Sequence, residues 1–367
     1  MRWNLVDMLR GIAVLLVLFR HHPSGGVLGE VGWLGVDLFF VISGFLVSGL
    51  IFDEARATGR FMALRFLIRR AFKIQPSFLA LIGITALAMW ATDRQDPPLN
   101  YIAELLFFQN YHEGLWSHTW SLAVEEHFYL LVVGCTAALL RWRIKLTWRA
   151  FFISCVLGMF FFTTLRALTW TAHPFQVLTH FYPSHLRMDS LLAGVLLAGW
   201  HRHRPVSFSA FFHTGRSYLL LLAVLLFLPT VLLPFGSFWM YTIGLSTAYV
   251  GGMVLVGLAV ERSTSMEHGS RDPLSKGLAW IGGISYNTYL WHLFVLLLVE
   301  MVTQRFGLQH GWVELAGFVA LALLAGWLTT VLVERPALRI RNAVVPSWQR
   351  SITRINREGG HGEGDPQ

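Results

Sequence analysis

Long apolar stretches alternate with short polar segments along nearly the whole chain. A helix of about 20 apolar residues spans the hydrocarbon core of a bilayer, so each stretch of this kind predicts a transmembrane helix. The stretches lie near residues 8–21, 33–52, 74–92, 118–140, 150–171, 185–200, 217–233, 238–260, 277–302 and 312–333. The pattern predicts an all-α, polytopic integral membrane bundle of about ten transmembrane helices in a lipid bilayer.

The cations between the spans indicate which side of the membrane each segment faces, because cytoplasmic segments retain Lys and Arg. If the N-terminus is cytoplasmic, only Arg94 and Arg305 of the 29 Lys and Arg residues fall in outer segments. Arg20, Arg166 and Arg187 lie within or at the edge of spans, and the others fall in inner segments. This asymmetry predicts that both termini are cytoplasmic.

The composition excludes several other classes of protein. Hydrophobic residues make up 54% of the chain and charged residues 14%, against about 25% charged in soluble proteins. The net charge of +8 comes from the cytoplasmic cations, and no basic domain with interleaved aromatic residues indicates nucleic-acid binding. The two cysteines, Cys135 and Cys155, lie in apolar stretches and predict neither a disulfide framework nor a metal site.

The two ends of the chain need separate interpretation. The first span is as short as a signal peptide, but His21, His22 and Pro23 follow it instead of a small-residue cleavage site, so we expect a retained helix. Residues 1–337 are expected to form one transmembrane domain, with no second soluble domain attached. Residues 338–367 are basic and then Gly-rich and polar, which predicts a partly disordered cytoplasmic tail.

Ionisable side chains inside the spans are candidate functional residues, because they are costly in hydrocarbon unless they face the bundle interior or a water-filled path. Arg10 and His21 are eleven positions apart on the first span, so both project from one face, about 16 Å apart along the axis. An elongated ligand can run between them. The alternative is that Arg10 anchors the helix at one membrane surface and His21 lies at the other.

Asp37 opens the second span, seven residues before Gly44 and on the same helix face. A buried carboxylate needs a partner, which an arginine or His21 can supply, and Gly44 allows another backbone to approach closely. Asp37 can therefore form a structural ion pair between helices, which is slightly favoured, or act directly in catalysis.

Arg65, Arg69, Arg70 and Lys73 precede Pro76, where the third span leaves the cytoplasm. Guanidinium groups bind phosphate oxygens in pairs, so a cationic mouth at the membrane suits a polyphosphate ligand. A solvated positive loop is the alternative, and without other evidence it is favoured.

Polar stripes begin the fourth and sixth spans and recur on the ninth. Ser121 and Glu125 share a helix face with His118, and Glu126 is a second carboxylate beside Glu125. The two glutamates can line an acceptor pocket or orient a base. The spacing of Ser121, His118 and Glu125 disfavours a Ser-His-Glu triad. Arg187 and Asp189 are two residues apart and point to different sides, so each is expected to pair with another helix. Ser285, Tyr289 and His292 form a further stripe.

Taken together, these segments resemble the acyltransferase type 3 family, integral membrane proteins, chiefly bacterial, that O-acylate cell-envelope polysaccharides and some small molecules. The matching stretches are residues 7–11 followed by His21, 35–45, 69–76, 120–130, 187–194, 285–292 and 334–336. They occur in the order found in the family and extend over almost the whole chain.

The resemblance implies ten transmembrane helices, acyl-CoA (usually acetyl-CoA) as a cytoplasmic donor, and an acceptor hydroxyl often presented at the outer side. By position, Arg10 and His21 match the family's paired functional arginine and histidine, and Arg70 with Lys73 matches a motif of two arginines. Lys73 departs from that motif, because lysine keeps the charge but loses the bidentate fork. His127, in place of a usual glutamine, and Arg20, beside His21, are further departures.

The resulting hypothesis is an O-acyltransferase of the bacterial inner membrane that moves an acyl group from acyl-CoA to a hydroxyl of a cell-envelope saccharide or related acceptor. His21 takes the acceptor proton or carries the acyl group, with no permanently bound cofactor and no metal. The predicted catalytic residues are His21, Arg10, Asp37 and Glu125, of which Asp37 or Glu125 orients the imidazole. The predicted coenzyme-binding residues are Arg10, Arg69, Arg70 and Lys73. The predicted acceptor-binding residues are Trp120, Ser121, Glu126, Arg187, Asp189 and His292.

A transporter is the alternative, since it would use the same buried ionisable residues as a substrate or proton pathway. It is disfavoured because the sequence has no repeated halves with matching broken helices. The acceptor, the acyl chain length and the oligomeric state stay open at this point.

Overall fold

The computed structural model describes residues 4–93, 96–265, 272–307 and 311–348, which are helical and contain no β-strand. The α-helices are α1 (Asn4–His21), α2 (Gly26–Val31), α3 (Leu34–Thr58), α4 (Ala63–Ala91), α5 (Pro98–Leu105), α6 (Trp120–Arg141), α7 (Trp148–Ala172), α8 (Val177–His180), α9 (Met188–His203), α10 (Pro205–Thr214), α11 (Arg216–Leu232), α12 (Leu245–Ser265), α13 (Pro273–Phe306), α14 (Gly311–Thr329) and α15 (Arg335–Val344). Short 3-10 turns lie at Pro23–Gly25, Ser117–Thr119 and Ser184–Leu186, and π-helical turns at Met240–Gly244 and Thr330–Glu334. The protein is an all-α, polytopic membrane bundle, as predicted.

Every predicted span coincides with a helix, but the helices differ in their ability to cross a bilayer. Within the described ranges, seven helices are long and apolar enough, and the pair α10 and α11, bent by 80°, makes eight if counted as one span. The predicted spans at 8–21 and 185–200 correspond to α1 and α9, which have 18 and 16 residues and many buried positions. The number ten and the cytoplasmic location of both termini stay predictions.

The third predicted span begins earlier than expected. Helix α4 starts at Ala63, so the cations predicted to lie at a cytoplasmic mouth are on the first turns of a helix rather than in a loop. No glycine or proline interrupts residues 63–75, and alanine, leucine, arginine and lysine there favour helix. The preceding helix ends at Gly59, whose φ of +65° is a conformation that glycine adopts without steric cost.

Helices α1 and α13 pack closely because two glycines face each other. A Cβ atom at Gly282 would lie 1.7 Å from the Asp7 carbonyl oxygen, and one at Gly11 would lie 2.1 Å from that of Leu278. Small residues at helix interfaces permit this kind of approach in membranes. The packing places the ends of α1 and the middle of α13 side by side.

Helices α3 and α9 make a second close contact, through Gly44 and Gly194. A Cβ atom at Gly44 would lie 2.0 Å from the Leu191 carbonyl oxygen, which confirms the predicted close approach at this position. Beside it, the Arg187 Nη2 atom donates to both Asp37 carboxylate oxygens at 2.8 Å, and both side chains are buried. Asp37 is thus in the interhelical ion pair, the first of its two predicted alternatives.

The predicted tail, residues 338–367, overlaps α15, which continues to Val344. Residues 349–367, for which partial disorder was predicted, lie outside the described residues.

Candidate active site

Three histidines from different helices meet inside the bundle. His21 ends α1, His118 lies in the turn before α6, and His292 lies in the middle of α13. The His292 ring centroid is 4.7 Å from that of His21 and 4.8 Å from that of His118. His118 and His292 are fully buried, whereas His21 is half-buried.

The hydrogen bonds of the cluster fix the tautomer of His21. Its Nδ1 atom lies 2.9 Å from the Val17 carbonyl oxygen, which can only accept, so the proton of the neutral ring belongs on Nδ1. The same N–H points to His292 Nε2 at 3.1 Å, and His292 Nδ1 donates to the Tyr289 carbonyl oxygen. Nε2 of His21 therefore carries the lone pair and has no hydrogen-bond partner among the described residues.

His21 faces a cavity of about 490 Å³, which we call the histidine cavity. Its lining residues are Val17, Arg20, His21, Gly32, Trp33, Val36, Ser117, His118, Trp120, Val177, Phe181, Tyr182, Phe235 and Tyr289. This volume is in the range of small-molecule sites, and the wall combines aromatic rings with the polar side chains of Arg20, His21, Ser117 and His118.

A second cavity, of about 160 Å³, lies toward the start of α1 and is called the basic cavity. Its lining residues are Arg10, Val36, Phe39, Phe40, Ile42, Ser43, Leu46, Val47, Arg70, Lys73, Ile74, Ser121, Leu122, Glu125, Ser285, Tyr286 and Tyr289. The side chains of Arg10, Arg70 and Lys73 are 24%, 24% and 29% exposed, so the cationic end of this cavity reaches the protein surface.

Carboxylates hold the cations of the basic cavity in place. The Arg70 Nη2 atom donates to the Tyr129 hydroxyl at 2.5 Å and lies 3.3 Å from a Glu125 oxygen, and its guanidinium stacks over the Tyr129 ring. Lys73 forms an ion pair with Glu334, which lies in the π-helical turn between α14 and α15. These pairs leave further N–H donors on the cations for an anionic ligand.

The two cavities meet at only two shared residues, Val36 and Tyr289, which we call the partition. The Tyr289 side chain is buried, and its hydroxyl donates to the His118 carbonyl oxygen at 2.7 Å. The Ser121 hydroxyl lies 2.6 Å from the Tyr289 hydroxyl oxygen. Hydrogen bonds to α6 and to the turn before it thus fix the Tyr289 side chain between the two cavities.

Glu104, on the short helix α5, fixes the segment that carries His118. Its Oε1 atom accepts from the Leu115 and Trp116 backbone N–H groups, at 3.0 and 3.3 Å, and from the Thr119 hydroxyl at 2.8 Å. Burial raises the pKa of the Glu104 carboxyl to about 7. This carboxylate and its three donors place His118 beside His292.

The structure brings some predicted site residues together and separates others. Arg10, Arg70, Lys73, Glu125 and Ser121 line the basic cavity, and Trp120 lines the histidine cavity. Arg69 bonds the Val345 carbonyl oxygen instead. Glu126, Arg187, Asp189 and His292 line neither cavity.

Four of these residues have partners other than the His21 ring. Asp37 pairs with Arg187, and Glu125 with Arg70 and Tyr129, whereas the partner of the His21 ring is His292. A catalytic role of Asp37 or Glu125 stays a prediction. Arg187 and Asp189 are both buried in ion pairs with other helices, as the pairing prediction required, and their role in acceptor binding stays a prediction.

Several residues of the site were not among the predicted functional residues. Tyr129 lies one turn after Glu125, and this i, i+4 spacing of a hydroxyl and a carboxylate was a usable signal. Glu334 is 261 residues from Lys73, and Arg166 is 23 residues from its partner Asp189, so only the folded chain reveals these pairs.

A family model described as an acyltransferase domain matches residues 3–331. The match includes every residue that lines the two cavities.

Individual relatives agree with this match. The chain is 26% identical over 320 residues to O-acetyltransferase OatA of Staphylococcus aureus (strain NCTC 8325 / PS 47), with 80% of this chain and 51% of the relative covered. It is 28% identical over 361 residues to a Komagataeibacter xylinus protein provisionally named membrane-bound transacylase BcsY, with 92% and 83% covered. The chain spans about half the length of the S. aureus relatives it matches. No solved structure matches it.

Proposed function

The chain belongs to the acyltransferase domain family, and we propose that it is an O-acyltransferase of the bacterial inner membrane that transfers an acyl group, most simply acetyl, from acyl-CoA to a hydroxyl of a cell-envelope saccharide. The observation that carries the proposal is the position of the free Nε2 atom of His21. The His21 ring that carries this atom lines one cavity, and that cavity meets a second, cationic cavity at the partition.

The donor binds in the basic cavity. Arg10, Arg70 and Lys73 hold the coenzyme phosphates at its solvent-facing end, where charge-assisted hydrogen bonds to phosphate are strong. A volume of about 160 Å³ is small for a saccharide but suits a slender pantetheine arm. The thioester then reaches the partition, and Arg10 lies about 16 Å from His21 along α1 because the arm occupies the distance between them.

The acceptor binds in the histidine cavity, with one hydroxyl beside His21. In the direct route, Nε2 takes the hydroxyl proton while the hydroxyl oxygen bonds to the thioester carbonyl carbon, the C–S bond breaks and coenzyme A leaves as the thiolate. In the two-step route, Nε2 itself bonds to that carbon while the C–S bond breaks and coenzyme A leaves as the thiolate. The acceptor hydroxyl oxygen then bonds to the acyl carbon, the C–N bond breaks, and the released Nε2 takes the hydroxyl proton. Both routes need a lone pair on Nε2 and a stabilised charge on the ring.

His292 supplies that stabilisation as a positioning residue. Its Nε2 atom accepts from Nδ1–H of His21, so it fixes the reactive tautomer and favours the imidazolium. The partition keeps water in the histidine cavity from the thioester until the acceptor is bound.

The test compares the same substitution at adjacent histidines in the purified protein. His21→Asn keeps an N–H near Nδ1 but removes Nε2. His22→Asn is the matched control, because His22 Nδ1 accepts from Ser24 N at the start of a turn and asparagine serves there equally well. Acetyl transfer from labelled acetyl-CoA to envelope saccharides should fall by a factor of roughly 10² to 10⁴ in His21→Asn and persist in His22→Asn.

Equal activity of the two variants would refute the role of His21. Saccharide movement across a sealed vesicle without loss of the acyl group from acetyl-CoA would favour a transporter instead.

A further inference from the structure

Four cations line the cavities, and Arg20 differs from the other three. Arg10 lies 3.6 Å from Asp7, Arg70 lies 3.3 Å from Glu125, and Lys73 pairs with Glu334. Arg20 has no carboxylate within 4.0 Å in the described parts of the chain. Its one hydrogen bond runs from Nη1 to the Gly29 carbonyl oxygen at 3.4 Å, which is long for an N–H donor.

Arg20 also lies where the histidine cavity continues outward. A third cavity, of about 300 Å³, shares Arg20, Trp33 and Phe235 with the histidine cavity and extends to Glu30 and residues 230–234. We call it the side cavity. The Arg20 guanidinium carbon lies 5.5 Å from the centre of the Phe235 ring, which is a wall of both cavities. The Arg20 guanidinium is therefore at the junction of the histidine cavity and the side cavity, and Arg20 directly precedes His21 in the sequence.

We propose that Arg20 forms a subsite for an anionic group, a carboxylate or a phosphate, on the saccharide acceptor. The acceptor lies across both cavities, with its reacting hydroxyl at His21 and its acidic group at the junction. The Arg20 guanidinium has one long hydrogen bond and no carboxylate partner among the described residues, so most of its donors are available for such a group, to which charge-assisted hydrogen bonds are strong. This inference rests on the proposed function and names the class of acceptor.

A lipid headgroup is the alternative ligand, because it also carries a phosphate or carboxylate that an arginine binds. The position of Arg20 against Phe235 and in the walls of both cavities favours the acceptor, because the guanidinium lies along the cavity wall. Glu30 also lines the side cavity, but it forms no ion pair with Arg20 among the described residues.

The test measures binding, so that it does not depend on turnover. Isothermal titration of the full chain in nanodiscs of zwitterionic phosphatidylcholine compares methyl β-glucuronide with methyl β-glucoside, which differ only in the carboxylate at C6. The glucuronide should bind roughly 10- to 100-fold more tightly, as expected for a charge-assisted hydrogen bond. Arg20→Gln should abolish the difference, and Arg20→Lys should restore part of it.

Arg305→Gln is the matched control, because Arg305 is an exposed arginine that lines none of the three cavities. It should keep the preference for the glucuronide. Equal binding of the two saccharides, no binding of either, or a preference that survives Arg20→Gln would overturn the subsite. Loss of glucuronide binding when phosphatidylglycerol is added would assign Arg20 to a lipid headgroup instead.

The same titration separates the two proposals. Preferential glucuronide binding in a protein that shows no acyl transfer would contradict the proposed function and leave the subsite standing. Acyl transfer without a preference for the glucuronide would support the proposed function and contradict the Arg20 subsite.

Discussion

Removal of one hydroxyl at the partition should make the enzyme lose acyl groups to water. In Tyr289→Phe the ring stays between the two cavities, but the hydrogen bonds to the His118 carbonyl oxygen and to Ser121, at 2.7 and 2.6 Å, are lost. A hydrogen bond contributes a net of about 0.5 to 1.5 kcal/mol, so the closed partition loses about 1 to 3 kcal/mol relative to the open one. At 1.4 kcal/mol per factor of ten, the open fraction rises roughly 5- to 100-fold.

The assay is release of free coenzyme A from acetyl-CoA in the absence of acceptor, followed with a thiol reagent. Tyr289→Phe should raise this hydrolysis by a similar factor. When acceptor is added, a smaller fraction of the acyl groups should reach it than in the wild type. Adding His21→Asn should abolish the increase, because water reacts on the histidine side of the partition.

Tyr249→Phe is the control, since Tyr249 is a buried tyrosine that lines neither cavity. Unchanged hydrolysis in Tyr289→Phe with a normal melting temperature would refute the partition. Equal increases in the two variants would show a general loosening of the bundle.

Two further predictions concern residues that line neither cavity. His292→Leu removes the acceptor for Nδ1–H of His21 and should lower kcat roughly 10- to 100-fold with both KM values unchanged. His292→Gln can place an oxygen near the lost Nε2 and should recover most of the rate. Equal kcat in both variants would contradict the positioning role. Asp37→Asn leaves the Arg187 guanidinium buried without a charged partner and should lower the free energy of unfolding by about 3 to 5 kcal/mol, measured by thermal or denaturant unfolding in detergent. A variant that melts like the wild type but has no turnover would instead support the predicted catalytic role of Asp37.

The sequence predicted the helices well because their signal is local. Each apolar stretch long enough to span a bilayer became a helix, and Gly44 became a close contact between helices. The start of α4 was placed too late because hydropathy marks where apolar residues begin, whereas the helix extends back through Arg65 and Arg69. Charged residues end a stretch of high hydropathy, but they do not interrupt the backbone hydrogen bonds of the helix.

The site was predictable only where its geometry lies on one helix. The shared face of Arg10 and His21 follows from helical periodicity, and each lines one of two adjoining cavities. The partner of a buried charge depends instead on which helices pack together. Asp37 pairs with Arg187 rather than with His21, and His21 forms a hydrogen bond with His292, 271 residues away.

The most direct test of the account is a structure with an unreactive thioether analogue of acetyl-CoA and a saccharide acceptor both bound. The account predicts that the phosphates contact Arg10, Arg70 and Lys73, and that the arm passes between Val36 and Tyr289. The carbonyl carbon should then lie on the histidine side, facing Nε2 of His21. Phosphates bound away from these three cations, or a carbonyl carbon that stays in the basic cavity with Tyr289 unmoved, would contradict it.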